Sequence, residues 1–157
     1  MSTRDAAFSY TYPVVQFGHV GAPGAGFVGQ ALGGGYVVEH DSPMQYRYFY
    51  TEFATTGQIL FSSVHEMQAA VTRGTPQQLT RAPMYRANIL FDHDDNPQTA
   101  PVARDSMVQI VAASPDYAGP TDKPRADIRF GRQSDGTLYL MSKRNRWVYR
   151  IVTSQPE

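Results

Sequence analysis

The sequence predicts an all-β fold built from short antiparallel meanders, and three observations carry that reading. Aromatic residues make up 12% of the 157 residues, with ten Tyr and eight Phe beside 13 Gly and 11 Pro, a composition suited to short strands and tight turns. The segment from Asp127 onward holds two alternating runs, Thr137–Ser142 (TLYLMS) and Arg146–Thr153 (RWVYRIVT), each introduced by turn residues. No stretch sustains the 3.6-residue apolar period of a long helix.

The elements follow in order. Residues 1–7 read as a tail, and Phe8–Val20 as an irregular or edge strand interrupted by Pro13. Gly18–Gly35 holds eight of the 13 glycines and reads as a flexible loop. It contains the letters G-x-G-x-x-G at Gly24, Gly26 and Gly29, but no buried parallel strand precedes them and no helix follows. Strands are expected at Tyr36–Glu39, Tyr46–Phe53 and Gln58–Val64, separated by the turns His40–Pro43 and Thr55–Gly57. His65–Arg73 reads as a helical turn or a bulged connection, and Tyr85–Phe91 as a strand. Asp92–Pro97 is a polar turn, Met107–Ala112 a return strand, and 113–124 a Pro/Gly/Ser/Asp-rich linker.

In the last meander, Ser134-Asp135-Gly136 forms one turn, because Asp bonds its own backbone and Gly accepts positive φ. With Lys143-Arg144-Asn145 as the other turn, Leu138, Leu140 and Val148 share one face, and Tyr139, Met141 and Trp147 the other. The result is one domain over 8–157 with blade-like units at about 31–112 and 125–153. Each is close to a four-stranded antiparallel sheet, the unit that forms a propeller blade when repeated around an axis.

Composition excludes several functions. Fourteen basic and 14 acidic side chains leave no net charge, so neither nucleic acid nor an anionic membrane is an expected partner. The absence of Cys removes disulfides, thiolate nucleophiles and Cys-based zinc sites, without fixing a compartment. The N-terminal residues MSTRDAAFSYTYP lack the apolar core of an export signal, and no apolar run approaches a membrane span.

Candidate chemistry is sparse. Asp92, Asp94 and Asn96 offer hard oxygen ligands suited to calcium, without the central Gly and distal Glu of an EF-hand loop; the plainer reading is a hairpin turn with solvated carboxylates. None of His19, His40, His65 and His93 has a carboxylate at a spacing that marks a catalytic base. Lys143, Arg144, Arg146 and Arg150 surround Trp147, a pattern that can stack on bases or bind acidic sugars, or simply charge an edge strand. Tyr46, Tyr48 and Tyr50 fall on one strand face, as a saccharide platform if exposed or as packing between blades.

Five pieces in fixed order resemble the C-terminal region of the PQQ-dependent soluble sugar (glucose/sorbosone) dehydrogenases. They are YPVVQFGH (Tyr12–His19), ALGGGYVVEH (Ala31–His40), YRYFYTEFATTGQILFSS (Tyr46–Ser63), ANILFDHDDNP (Ala87–Pro97) and RFGRQSDGTLYLMSKRNRWVYRI (Arg129–Ile151). The resemblance implies part of a six-bladed β-propeller, oxidation of a sugar or aldehyde, and PQQ and calcium as cofactors. It carries quinone binding to Arg125 and Arg129, the arginines nearest the family's pair, with Pro124 and Ala126 at the pair's own positions. The family's catalytic histidine lies in blades that precede the matched region, so no catalytic residue is assigned. Activity is therefore expected only with further blades, from a complementary chain or a homo-oligomer. The alternative is a non-enzymatic carbohydrate-binding or assembly module that keeps the fold without the quinone site.

Overall fold

The computed structural model describes residues 13–19, 28–39, 42–73, 81–92, 96, 98–114, 126–151 and 154–155, and the chain is mainly β. Strands β1 (Gly18–His19) and β2 (Val28–Gly29) form a short parallel pair. The largest sheet is an antiparallel meander in chain order: β3 (Leu32–Val37), β4 (Arg47–Glu52), β5 (Ile59–Ser63) and β6 (Tyr85–Arg86). Helix α1 (Val64–Arg73) connects β5 to β6. A second sheet pairs β7 (Asn88–Phe91) with β8 (Val102–Arg104) on one side and β12 (Ser154–Gln155) on the other. The third is the meander β9 (Ile128–Arg132), β10 (Leu138–Ser142) and β11 (Val148–Arg150). Helix α2 (Met107–Ala113) follows β8, and β3 lies against β9.

One apolar core joins the three antiparallel sheets. Phe49 and Ile59 from β4 and β5, Ile89 and Phe91 from β7, Met107 and Ile110 from α2, and Ile128, Leu138 and Leu140 from the last meander belong to it. Alternation explains the choice: in β10, Leu138 and Leu140 are buried while Tyr139 and Met141 are half-buried.

Several sequence expectations are corrected, the first being the loop at Gly18–Gly35, which holds β1, β2 and the start of β3. Met107–Ala112 is helical, not a return strand: Met107, Ile110 and Val111 recur at the i, i+3, i+4 spacing that buries one helix stripe. Tyr85–Phe91 is two strands in different sheets, broken at buried Ala87, whose N–H donates to the Ile59 carbonyl. The final turn is one residue longer than expected. Met141 pairs with Val148 and Leu140 with Tyr149, so Val148 shares the face of Met141, not that of Leu140. The extra residue is Arg146, held at φ 65° by its N–H donating to the Ser142 carbonyl. Because side chains alternate with period two, that single insertion reverses the face of every residue in β11. The expected linker at 113–124 lies outside the described residues beyond Ser114.

The turn between β4 and β5 is where the sheets meet. Fully buried Glu52 accepts at Oε1 from the N–H groups of Gln30, Ala54 and Thr55. Its Oε2 accepts from Thr55 N–H and Thr55 Oγ1. The turn's carbonyls then receive the start of α2 and the start of β9: Val108 N–H donates to Thr56, Met107 N–H to Gly57, and Ala126 N–H to Thr55, at 2.8–3.1 Å. Gly57 takes φ 69°, and a Cβ there would meet Ala126 and Met107.

The expected row Tyr46, Tyr48, Tyr50 is divided. Tyr46 precedes β4 at φ 58° and is 60% exposed, whereas Tyr50 is buried with its hydroxyl 2.9 Å from Ser62 Oγ. Burial pushes the Tyr50 phenol up from 10.0 to about 12. The neutral form is thus favoured in the fold, so stability is full below pH 10 and declines from there through about pH 12 as the unfolded chain ionises first. Equilibrium urea denaturation across that range should show the decline, and Tyr50→Phe should flatten it.

Consecutive glycines in β3 give a second test. A Cβ on Gly35 would overlap the Phe49 carbonyl oxygen, while a Cβ on Gly34 meets nothing within 4 Å. Gly35→Ala should lose about 3 kcal/mol of unfolding free energy through overpacking, and Gly34→Ala should stay within about 0.5 kcal/mol of the parent.

Candidate functional site

The turn that follows β10 builds the wall of a cleft. Ser142 Oγ accepts from Arg144 N–H and donates to the Ala126 carbonyl, which ties the turn to the start of β9. Asn145 is the clamp: its Nδ2 donates to Ser114 Oγ at the end of α2 and to Tyr149 Oη, while its Oδ1 accepts from Trp147 N–H. Ser114 Oγ and Tyr149 Oη lie 2.7 Å apart, and the Trp147 and Tyr149 rings stack at 6.1 Å. Lys143, Arg146 and Trp147 from this turn all line one cleft.

Asp127, just before β9, and Arg129 within it line the same cleft, on the strand paired with β10. Together with Met141, Ser142 and Val148, these residues line an open cleft of about 610 Å³. Arg129 is held from behind, its Nη1 donating to the Ile128 carbonyl and its guanidinium 4.8 Å from the centre of the Phe53 ring. Lys143 and Arg146 are exposed and make no ion pair among the described residues. The lining carries three cationic side chains and one carboxylate, with an indole that is 39% exposed. Among the described residues, two of the three non-glycine residues at positive φ, Asp127 (46°) and Arg146 (65°), line this cleft. Backbone strain of that kind concentrates where side chains must be aimed.

Of the residues singled out from sequence, Arg129 lines the cleft, while Arg125 lies outside the described residues. Asp92 and Asn96 are exposed after β7, and Asn96 Oδ1 accepts from Gln98 N–H at 3.0 Å. Asp94 is outside the described residues, and among them no group of three His, Cys, Asp or Glu side chains is placed to hold a metal ion. His19 and His65 are exposed, and His40 and His93 are not among the described residues. Arg150 lines a neighbouring cleft of about 360 Å³ with Ile110, Leu140 and Trp147. Sequence reasoning missed Asp127 and Asn145. An Asn two residues before an aromatic, as in Asn145-Arg146-Trp147, is the available signal for an Asx turn.

A third cleft, about 500 Å³, lies near the start of β4. There Arg47 sits 4.9 Å from the centre of Phe61, Phe61 stacks on Tyr85, and Tyr85 Oη donates to Glu66 Oε1. That carboxylate raises the Tyr85 phenol above its usual range.

Comparison with protein-family models, with curated proteins and with solved structures returned no match.

The strain at Arg146 is testable by itself. Arg146→Gly removes a left-handed side-chain clash at the cost of added unfolded-state freedom, so it should raise unfolding free energy by about 0.5–1 kcal/mol. Thermal denaturation followed by circular dichroism reads the gain as an increase in Tm.

Proposed function

We propose that this chain supplies blades of a six-bladed β-propeller of the PQQ-dependent sugar dehydrogenase type, and that sugar or aldehyde oxidation requires further blades. The observation that carries the reading is the contact between two meanders: β3–β6 runs in chain order, and its first strand lies against β9, the first strand of the β9–β11 meander, with the β7–β8 sheet between them in the chain. First strands side by side are what neighbouring blades present toward a common axis. Such an arc leaves strand edges to be covered by a complementary chain or by further copies of this one.

Arg129, and Arg125 with it, would contribute positive charge toward the carboxylates of the quinone. Asp92, Asp94 and Asn96 are the oxygen donors this chain offers to calcium, fewer than the six to eight that calcium takes, so the remainder must come from elsewhere. The quinone supplies the two-electron oxidation; this chain's part is to hold charge and shape around it.

A second reading is a non-enzymatic carbohydrate-binding module, and one observation favours it. The cleft beside Trp147 is built wholly from this chain and needs no added blade.

Light scattering behind size exclusion, with and without PQQ and calcium, tests the first reading. A discrete oligomer that gains dye-linked sugar oxidation with both cofactors is the expected result. A monomer indifferent to both would remove the dehydrogenase reading.

A further inference from the structure

We infer that the cleft between the start of β9 and the β10–β11 turn binds an acidic saccharide, a chain of uronic acid residues whose carboxylates meet Lys143 and Arg146 while a pyranose face lies on Trp147. The inference rests on the binding-module reading of this cleft and makes no use of a closed ring.

Charge comes first. The chain as a whole is neutral, yet this lining sets Arg129, Lys143 and Arg146 against Asp127 alone. All three cations are exposed, but Arg129 is already engaged by the Ile128 carbonyl and the Phe53 ring and so supplies background potential, whereas Lys143 and Arg146 make no ion pair among the described residues. A guanidinium and an ammonium three positions apart in one turn suit carboxylates spaced along a ligand.

Shape selects among anions. A free phosphate uses donors alone, but this cleft adds the part-exposed indole of Trp147 and the apolar side chains of Met141 and Val148. A sugar ring presents C–H groups on one face and hydroxyls at its rim, which fits an indole wall beside the Asp127 carboxylate as a hydroxyl acceptor. The volume of about 610 Å³ lies in the range of small-ligand clefts and admits one or two pyranose rings. A nucleic-acid strand fits less well, because Asp127 would face its phosphates and the chain carries no net positive charge.

The arrangement also explains the backbone. Arg146 in the left-handed region adds one residue to the turn, and this same insertion moves Val148 onto the Met141 side, where it completes the apolar wall.

The chain contains a single Trp, which lines both this cleft and the neighbouring one, so intrinsic fluorescence reports binding and variants of Lys143 and Arg146, which line only this cleft, assign it. The full-length protein is titrated with trigalacturonate, with its fully methyl-esterified counterpart, with PQQ and with a short single-stranded oligothymidylate. Saturable quenching by trigalacturonate, weakened by added NaCl and absent with the ester, is expected. Arg146→Gly and Lys143→Ala should each weaken the affinity about tenfold, the effect of losing one charged hydrogen bond. Because Arg146→Gly relieves backbone strain, its loss of binding cannot be ascribed to unfolding; circular dichroism verifies the fold of both variants. Equal binding of the ester would overturn the acidic class and leave carbohydrate binding standing. Response to neither sugar would overturn both. Response to PQQ or to the oligonucleotide without response to trigalacturonate would overturn the inference in favour of that ligand.

Discussion

The carboxylate of Glu52 is the interaction on which the architecture depends. A fully buried acidic side chain is costly unless its oxygens are occupied, and here backbone N–H groups from two segments and one hydroxyl occupy both. What those bonds fix is the turn after β4. Once its N–H groups face inward to Glu52, its carbonyls face outward as acceptors for α2 and for the start of β9. One side chain thereby orients a short loop that hydrogen-bonds to the largest sheet, the second helix and the last meander. The Phe53 ring, on the same turn, then supports Arg129.

From that hub the cleft follows by steps. Ala126 is anchored to Thr55, so Asp127 and Arg129 emerge at a set position. Ser142 reaches back to the Ala126 carbonyl, which places the β10–β11 turn beside them. Asn145 then joins this turn to α2 through Ser114 and Tyr149. Each wall of the cleft is thus tied to the core by polar contacts, while apolar packing beneath supplies the stability.

Much of this was legible in the sequence, and the failures have specific causes. Strong alternation with aromatic and β-branched residues marked β4, β5 and β10 within a residue or so, because those strands are decided by local pattern. The mainly β class followed from the same signal. Met107–Ala112 was misread because a short apolar run fits strand and helix alike, and only the acceptors at Thr56 and Gly57 decide between them. The phase of β11 was lost because a left-handed Arg has no sequence signature comparable with Gly or Asn. The cationic character of the Lys143–Trp147 turn was visible, but its meeting with Asp127 and Arg129 was not, since the residues are brought together by a buried Glu that reads in sequence as an ordinary strand carboxylate.

The pairing of β12 with β7 bears on how the chain assembles during synthesis. Ser154 sits opposite Ile89, so the sheet containing β7 and β8 is closed by residues that leave the ribosome long after its own hairpin. Until then one side of β7 has no strand to bond, and the ordering cost of so distant a contact must be met before the ladder rewards it. The β3–β6 meander, by contrast, closes between neighbours in order. Completion of the second sheet is thus a long-range event, whereas the ladder of the first needs no residue beyond Arg86.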